Sequence, residues 1–211
     1  MKVIGLTGPS GSGKGVCDIH FQSLGIPYID TDKVYHDLLL PPSRCADELI
    51  ARFGQKILTN HQTIDRQKLA NIVFSDPTGQ AIKDLNRISH KYVKEETLAI
   101  LDTFRFSQQN AVVVDAPLLF EADFDKFCDF TIAVLAKQDL RLQRIMERDS
   151  LSHEKAISRL QAQKQDEYYS SRANYVLYNN QECDDLLQHL LEILKKENVS
   201  IDTQNKGDCY G

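Results

Sequence analysis

The sequence predicts an α/β protein built on a parallel five-stranded sheet. Three observations carry that expectation: short apolar runs of strand length, helical patterns between them, and a glycine-rich turn joining the first run to the first helix. The runs are residues 3–6, 26–29, 111–114, 130–135 and 175–177. Between the second and third runs, about 33–108 reads as helical, with turn signals at Pro41-Pro42, Asn60 and Asp76-Pro77, long enough for a helical insertion over one end of the sheet. Two helical patterns, about 137–148 and 152–163, separate the last two strands, and an amphipathic helix runs near 183–196. The polar tail is expected to fray.

The composition suits one soluble domain. With 211 residues, 42% of them apolar, and 25 Lys+Arg against 30 Asp+Glu for a net charge of −5, the chain is of ordinary globular type. A mildly acidic chain argues against a nucleic-acid binder, because phosphate-backbone affinity rests on clustered cations. The apolar start is broken early by Gly5 and Gly8, so neither a signal peptide nor a membrane span is expected, and the reading is a cytoplasmic protein without an obligate protein partner. Cys17, Cys45, Cys128, Cys183 and Cys209 are odd in number and widely spaced, and they read as incidental thiols. The six histidines show no metal-ligand spacing, and only His90, in the helical insertion, draws attention.

The sharpest signal is Gly8-Pro9-Ser10-Gly11-Ser12-Gly13-Lys14, the G-x-x-x-x-G-K phosphate loop, directly after the first strand. Glycines let successive N–H groups curl around phosphate oxygens, the next helix presents its positive end, and Lys14 adds a mobile cation. Gly11, Ser12, Gly13, Lys14, Gly15 and Val16 are therefore the expected ATP-binding run. The loop departs from rule where Ser or Thr should follow Lys14 and give a hydroxyl to Mg²⁺, for Gly15-Val16 stands there. A water held by Asp30, Asp32 or Asp115 is the expected substitute.

Carboxylates close two strands. Asp30 and Asp32 follow the second run, at the sheet edge where ligands of open α/β sheets bind. One suits a base on an acceptor hydroxyl while the other orients metal or lysine; the plainer reading of both is capping of the helix that follows. Asp115 ends the third strand, where nucleotide enzymes often keep a metal-holding acid, and Leu118 follows as core or as an apolar wall for an acceptor. Residues 137–172 carry +2 against −7 for the rest of the chain. Arg141, Arg144 and Arg148 share one helical stripe, as do Lys155, Arg159 and Gln163. Either these are solvated faces laced with Glu147 and Asp149, or they meet the charge that develops in phosphoryl transfer; on the second reading Arg144 comes first and Arg148 second. Asn205-Lys206-Gly207-Asp208 matches the guanine-reading N-K-x-D pattern, but its place in a polar tail makes it a chance match.

Taken together, Gly5-Leu6-Thr7-Gly8 with the loop, Leu24-Gly25-Ile26-Pro27-Tyr28-Ile29-Asp30-Thr31-Asp32, Val113-Val114-Asp115-Ala116-Pro117-Leu118-Leu119-Phe120-Glu121, Arg144-Ile145-Met146-Glu147-Arg148-Asp149, Arg159-Leu160-Gln161-Ala162-Gln163 and Asn174-Tyr175-Val176-Leu177-Tyr178-Asn179-Asn180 resemble the dephospho-CoA kinases. The resemblance implies ATP- and Mg²⁺-dependent phosphorylation of the ribose 3′-hydroxyl of dephospho-CoA, the final step of coenzyme A synthesis. It implies a three-layer α/β/α phosphate-loop kinase fold over about 1–200, with core segments about 1–32, 109–136 and 173–197, an acceptor-binding region about 33–108, a lid about 137–172 and a flexible tail over 201–211. On the same basis Lys14 holds the transferred phosphates, Asp32 is the base, Arg144 belongs to the lid, Arg148 and Asn180 lie toward ATP, with Asn179-Asn180 where the family approaches the adenine, and Asp32, His90 and Leu118 lie toward the acceptor. His90 is followed by Lys91 where the family usually has proline, and Asn174 replaces a frequent Asp. From the residues alone, another nucleoside or nucleotide kinase, a nucleotide-binding switch and a degenerate ATP-binding module stay open.

Overall fold

A computed structural model describes residues 1–180 and 183–201. The tail match at Asn205–Asp208, Cys209 and nearly all of the expected tail lie outside the described residues. In the sheet, β1 (Lys2–Thr7), β2 (Tyr28–Asp30), β3 (Ala111–Asp115), β4 (Phe130–Leu135) and β5 (Tyr175–Tyr178) run in the order β2-β3-β1-β4-β5. β1 pairs in parallel with β3, Leu6 opposite Asp115, and with β4, Thr7 opposite Ala133; β4 and β5 are parallel with Leu135 opposite Tyr178. Four of the strands stand where apolar runs were read, the central ones because strands of a parallel sheet are buried on both faces, while edge strand β2 begins at Tyr28, two residues after its run starts.

The described residues form two compact units, those within 1–29 and 104–201, and Asp30–Thr103. In the first, Ile4, Leu6, Val113, Ile132 and Val134 face Cys17 and Phe21 of α1 (Lys14–Ser23) and Leu186 and Leu190 of α9 (Cys183–Lys196). Residues of opposite parity, Ala133 and Leu135, pack on Tyr169 of α8 (Asp166–Ser170), with Phe120 and Val176 at its edge. Period-two alternation thus puts helices on both faces, giving three layers. Between β4 and β5 lie α6 (Gln138–Asp149) and α7 (His153–Gln161), which bury Ile145 against Ala156 and Leu160. α7 stops two residues short of the expected end, so Gln163 lies beyond the helix. α8 is a further element that the sequence pattern did not show, being too short for a helical period to register.

The second unit is helical: α2 (Thr31–Leu38), α3 (Arg44–Phe53), α4 (Arg66–Phe74) and most of α5 (Gln80–Phe106). Each start has a chemical reason. Asp30 accepts from Lys33 N, Ser43 from Ala46 N, and Asp65 from Gln67 N and Lys68 N, satisfying first-turn donors that a helix leaves orphaned. Gly54, at φ 80°, ends α3. Leu49, Ile57 and Ile88, all fully buried, centre the core of this unit. At the turn predicted around Asn60, Leu58 and Ile64 form an isolated antiparallel bridge. A surface cluster ties α3 to α5: Glu48 accepts from Lys91 Nζ at 3.0 Å, Tyr92 Oη at 2.8 Å and Arg87 Nη1 at 3.3 Å. These donors hold the Glu48 carboxyl well below its ordinary 4.5, at about 2, Lys91 first and Tyr92 next. No helix among the described residues is long and apolar enough to cross a membrane.

Candidate functional site: a phosphate loop backed by arginines

β1 runs into the loop 8–13, and α1 starts at Lys14. Gly13, the N-cap of α1, sits in the left-handed region at φ 92°, ψ 29° and offers no side chain to the first-turn N–H groups; no acidic residue stands in that turn. Donors that a Ser or Asp cap would occupy, and a dipole that an acid would offset, are both left for an anion. Lys14 Nζ lies 2.5 Å from Asp115 Oδ1, with both side chains largely buried. The register explains the meeting: β3 lies beside β1 and delivers Asp115 opposite Leu6, just before the loop.

Behind the loop stands α6, and its arginines address carbonyls. Arg141 is 6% exposed. Its Nε donates to Ser10 O at 3.1 Å, Nη1 to Asp166 at 3.2 Å and Nη2 to Gln163 Oε1 at 3.0 Å. Burial pulls its guanidinium below its ordinary value, opposed by Asp166 and Tyr169. Arg144 Nη1 donates to Gly11 O and Ser12 O, both at 3.3 Å, and its Nη2 to Asn179 O at 3.2 Å. Asn179 Nδ2 adds a bond to Ser12 O at 3.0 Å. Arg148 Nη2 reaches Ser10 Oγ at 3.1 Å, and both Arg148 and Arg159 pair with Asp149. In a phosphate loop the N–H groups converge on the anion and the carbonyls turn outward. Arginines bound to those carbonyls stiffen the loop and place positive charge behind it.

The other residues singled out from sequence take these positions. Asp30 caps α2, and Asp32 stands exposed in its first turn. His90 lies within α5, half-buried. All three belong to the second unit; Lys14, Asp115, Leu118, Arg144, Arg148 and Asn180 belong to the first. Leu118 is 49% exposed just beyond β3. Asn180 uses Oδ1 to accept from Lys137 N at 2.7 Å, fastening the end of β5 to the start of α6. The first unit therefore brings together Lys14, Asp115 and the loop, with Arg144 and Arg148 behind it. Arg141 and Gln163 were not singled out as site residues; the helical stripe had pointed to Arg141, but spacing does not say which arginine is buried, and Asn179, expected near the adenine, bonds to Ser12 O.

Mg²⁺, the ion expected from the sequence, takes one or two carboxylates together with waters and substrate phosphates. Asp115 beside Lys14 supplies a carboxylate, and a Cβ added at Gly15 would meet no atom within 4 Å, leaving room for a water where the usual hydroxyl is missing. Among the described residues no cluster of three His, Cys, Asp or Glu forms a protein-only cage.

The sequence pattern of the dephospho-CoA kinase family matches residues 2–185. A dephospho-CoA kinase of Lactobacillus johnsonii is 33% identical over 193 residues, 92% of this chain and 96% of that one. One from Moorella thermoacetica is 38% identical over 178 residues, covering 84% and 83%. The solved dephospho-CoA kinase from Campylobacter jejuni superposes with a TM-score of 0.68 at 27% identity, over 93% of this chain and 98% of that one. An uncapped phosphate loop with its lysine is shared by many nucleotide enzymes, but a family match spanning both units is specific, and by it the chain belongs to the dephospho-CoA kinase family.

Proposed function

We propose that the protein transfers the γ-phosphoryl group of ATP to the ribose 3′-hydroxyl of dephospho-CoA, giving coenzyme A and ADP, the last step of coenzyme A biosynthesis. Together with the family, one observation carries this: the loop 8–13 presents uncapped N–H groups at the start of α1 with Lys14 at its end, a cradle for the polyphosphate of ATP. Lys14 holds the transferred phosphate. Asp32 accepts the proton of the 3′-hydroxyl as its oxygen bonds to phosphorus and the bond to the ADP oxygen breaks. Arg144 and Arg148 add positive charge from behind the loop, and Asn180 fixes the edge of the ATP site by holding Lys137 N. Residues 137–172 serve as the lid, and Asp32, His90 and Leu118 are the residues assigned to acceptor recognition.

Of the carboxylates left open by sequence, Asp115 suits the metal, because it stands beside the loop lysine, whereas Asp30 caps a helix and Asp32 is assigned as the base. Asp115, with a water in the space at Gly15, would hold Mg²⁺, whose contribution is to neutralise phosphate charge. Incubation with ATP and dephospho-CoA, followed by ADP release and by the mass of the nucleotide product, tests the activity. Coenzyme A is the expected product. No turnover with either Mg²⁺ or Mn²⁺, or faster turnover of a plain nucleoside, overturns the reading.

A further inference from the structure

We propose that Arg141 is a positioning residue for nucleotide binding, acting through the Ser10 peptide in a clamp that Gln163 closes. The clamp is a ring of three hydrogen bonds. Arg141 Nε donates to Ser10 O at 3.1 Å, Ser10 N donates to Gln163 Oε1 at 3.0 Å, and the same Oε1 accepts from Arg141 Nη2 at 3.0 Å. Ser10 is thus held through both its backbone polar groups by two side chains. Asp166 holds the third guanidinium nitrogen at 3.2 Å, so the fork has one orientation.

Two facts make the ring specific to arginine and to this place. The side chain is 7% exposed, so water does not replace a lost bond. The backbone of α6 also lies against the loop, since a Cβ on Gly11 would come within 2.6 Å of Arg141 O. A planar fork spans Ser10, Gln163 and Asp166 at once, whereas a lysine ammonium is a point charge on a flexible stem. With all three nitrogens engaged behind the loop, Arg141 acts on phosphates through Ser10. It fixes the outer turn of the loop before nucleotide arrives and removes that ordering cost from binding.

The inference rests on the loop binding nucleotide, and the experiment separates the two. Affinity for a non-hydrolysable ATP analogue is measured by calorimetry for the whole protein and for Arg141→Lys, Gln163→Leu and Gln163→Glu, along with kcat at saturating ATP and the nucleotide-free thermal midpoint. Arg141→Lys and Gln163→Leu are expected to weaken binding about tenfold, as loss of pre-organisation does, with kcat within about threefold. Gln163→Glu keeps an oxygen that accepts from both Ser10 N and Arg141, and its affinity stays within about twofold. Wild-type protein that binds no ATP analogue overturns both the function and the clamp. Folded variants that bind as tightly as wild type, Gln163→Glu binding as weakly as Gln163→Leu, or kcat falling as far as affinity does, overturn the clamp alone. Should Arg141→Lys fail to fold, the half-buried Gln163 pair decides by itself.

Discussion

Gly13 and Gly15 lie two residues apart at the start of one helix, and the structure gives them opposite responses to the same methyl group. Gly13 holds φ 92°, where an L-residue is strained by roughly 1–2 kcal/mol. Its added Cβ would also overlap Asn179 Nδ2, the buried donor to Ser12 O. Asn179 is 6% exposed, so losing that bond leaves its buried amide without an acceptor, at about 1–3 kcal/mol, while Ser12 O keeps Arg144 Nη1. Gly13→Ala should therefore destabilise by about 2–5 kcal/mol, a large part of the roughly 5–15 kcal/mol that holds a domain together. A Cβ on Gly15 meets nothing within 4 Å in a helical turn, so Gly15→Ala should be neutral or gain up to about 1 kcal/mol. Urea unfolding of the two variants measures the difference directly. Adding Asn179→Ala to Gly13→Ala removes the overlap, and the two changes should couple by about 1 kcal/mol or more. Stabilities of Gly13→Ala and Gly15→Ala within about 0.5 kcal/mol of each other would refute the reasoning.

Asp32→Asn should lower kcat at least about 100-fold while leaving ATP affinity near wild type, and near-normal turnover would remove Asp32 from the role of base. Gly15→Ser supplies the missing hydroxyl in open space, so less Mg²⁺ should be needed for half-maximal nucleotide binding; an unchanged titration argues against the water-filled site. Because Glu48 is held at about 2 against an ordinary 4.5, its contribution to stability is complete above 4.5 and lost as pH falls from there through 2. Thermal midpoints across that window should fall more steeply for the wild type than for Glu48→Gln, and parallel curves would contradict the assignment. Burial pushes the Cys17 and Cys128 thiols up to about 12 and Cys45 to about 11, so peptide mapping after iodoacetamide at neutral pH should find all three unlabelled.

Much of this protein can be read before folding is considered. A buried strand needs a run of apolar side chains and a phosphate loop needs glycines at set offsets before a lysine, so β1, β3, β4, β5 and the loop are visible in local order. Local chemistry does not choose between roles that one side chain can fill. Asp30 reads equally as metal ligand or cap until its oxygen is seen on Lys33 N. Arg141, Arg144 and Arg148 read as one stripe, yet Arg141 is buried on Ser10, Arg144 spans Gly11, Ser12 and Asn179, and Arg148 shares Asp149 with Arg159. Gln163 becomes visible as a partner only once a helix, a turn and the loop converge, 153 residues apart in sequence from Ser10. The sequence by itself determined the phosphate chemistry and the sheet, because both are written in short-range pattern. Which cation faces a carbonyl and which carboxylate meets Lys14 was decided by tertiary structure, since those depend on strand register and helix packing between distant segments.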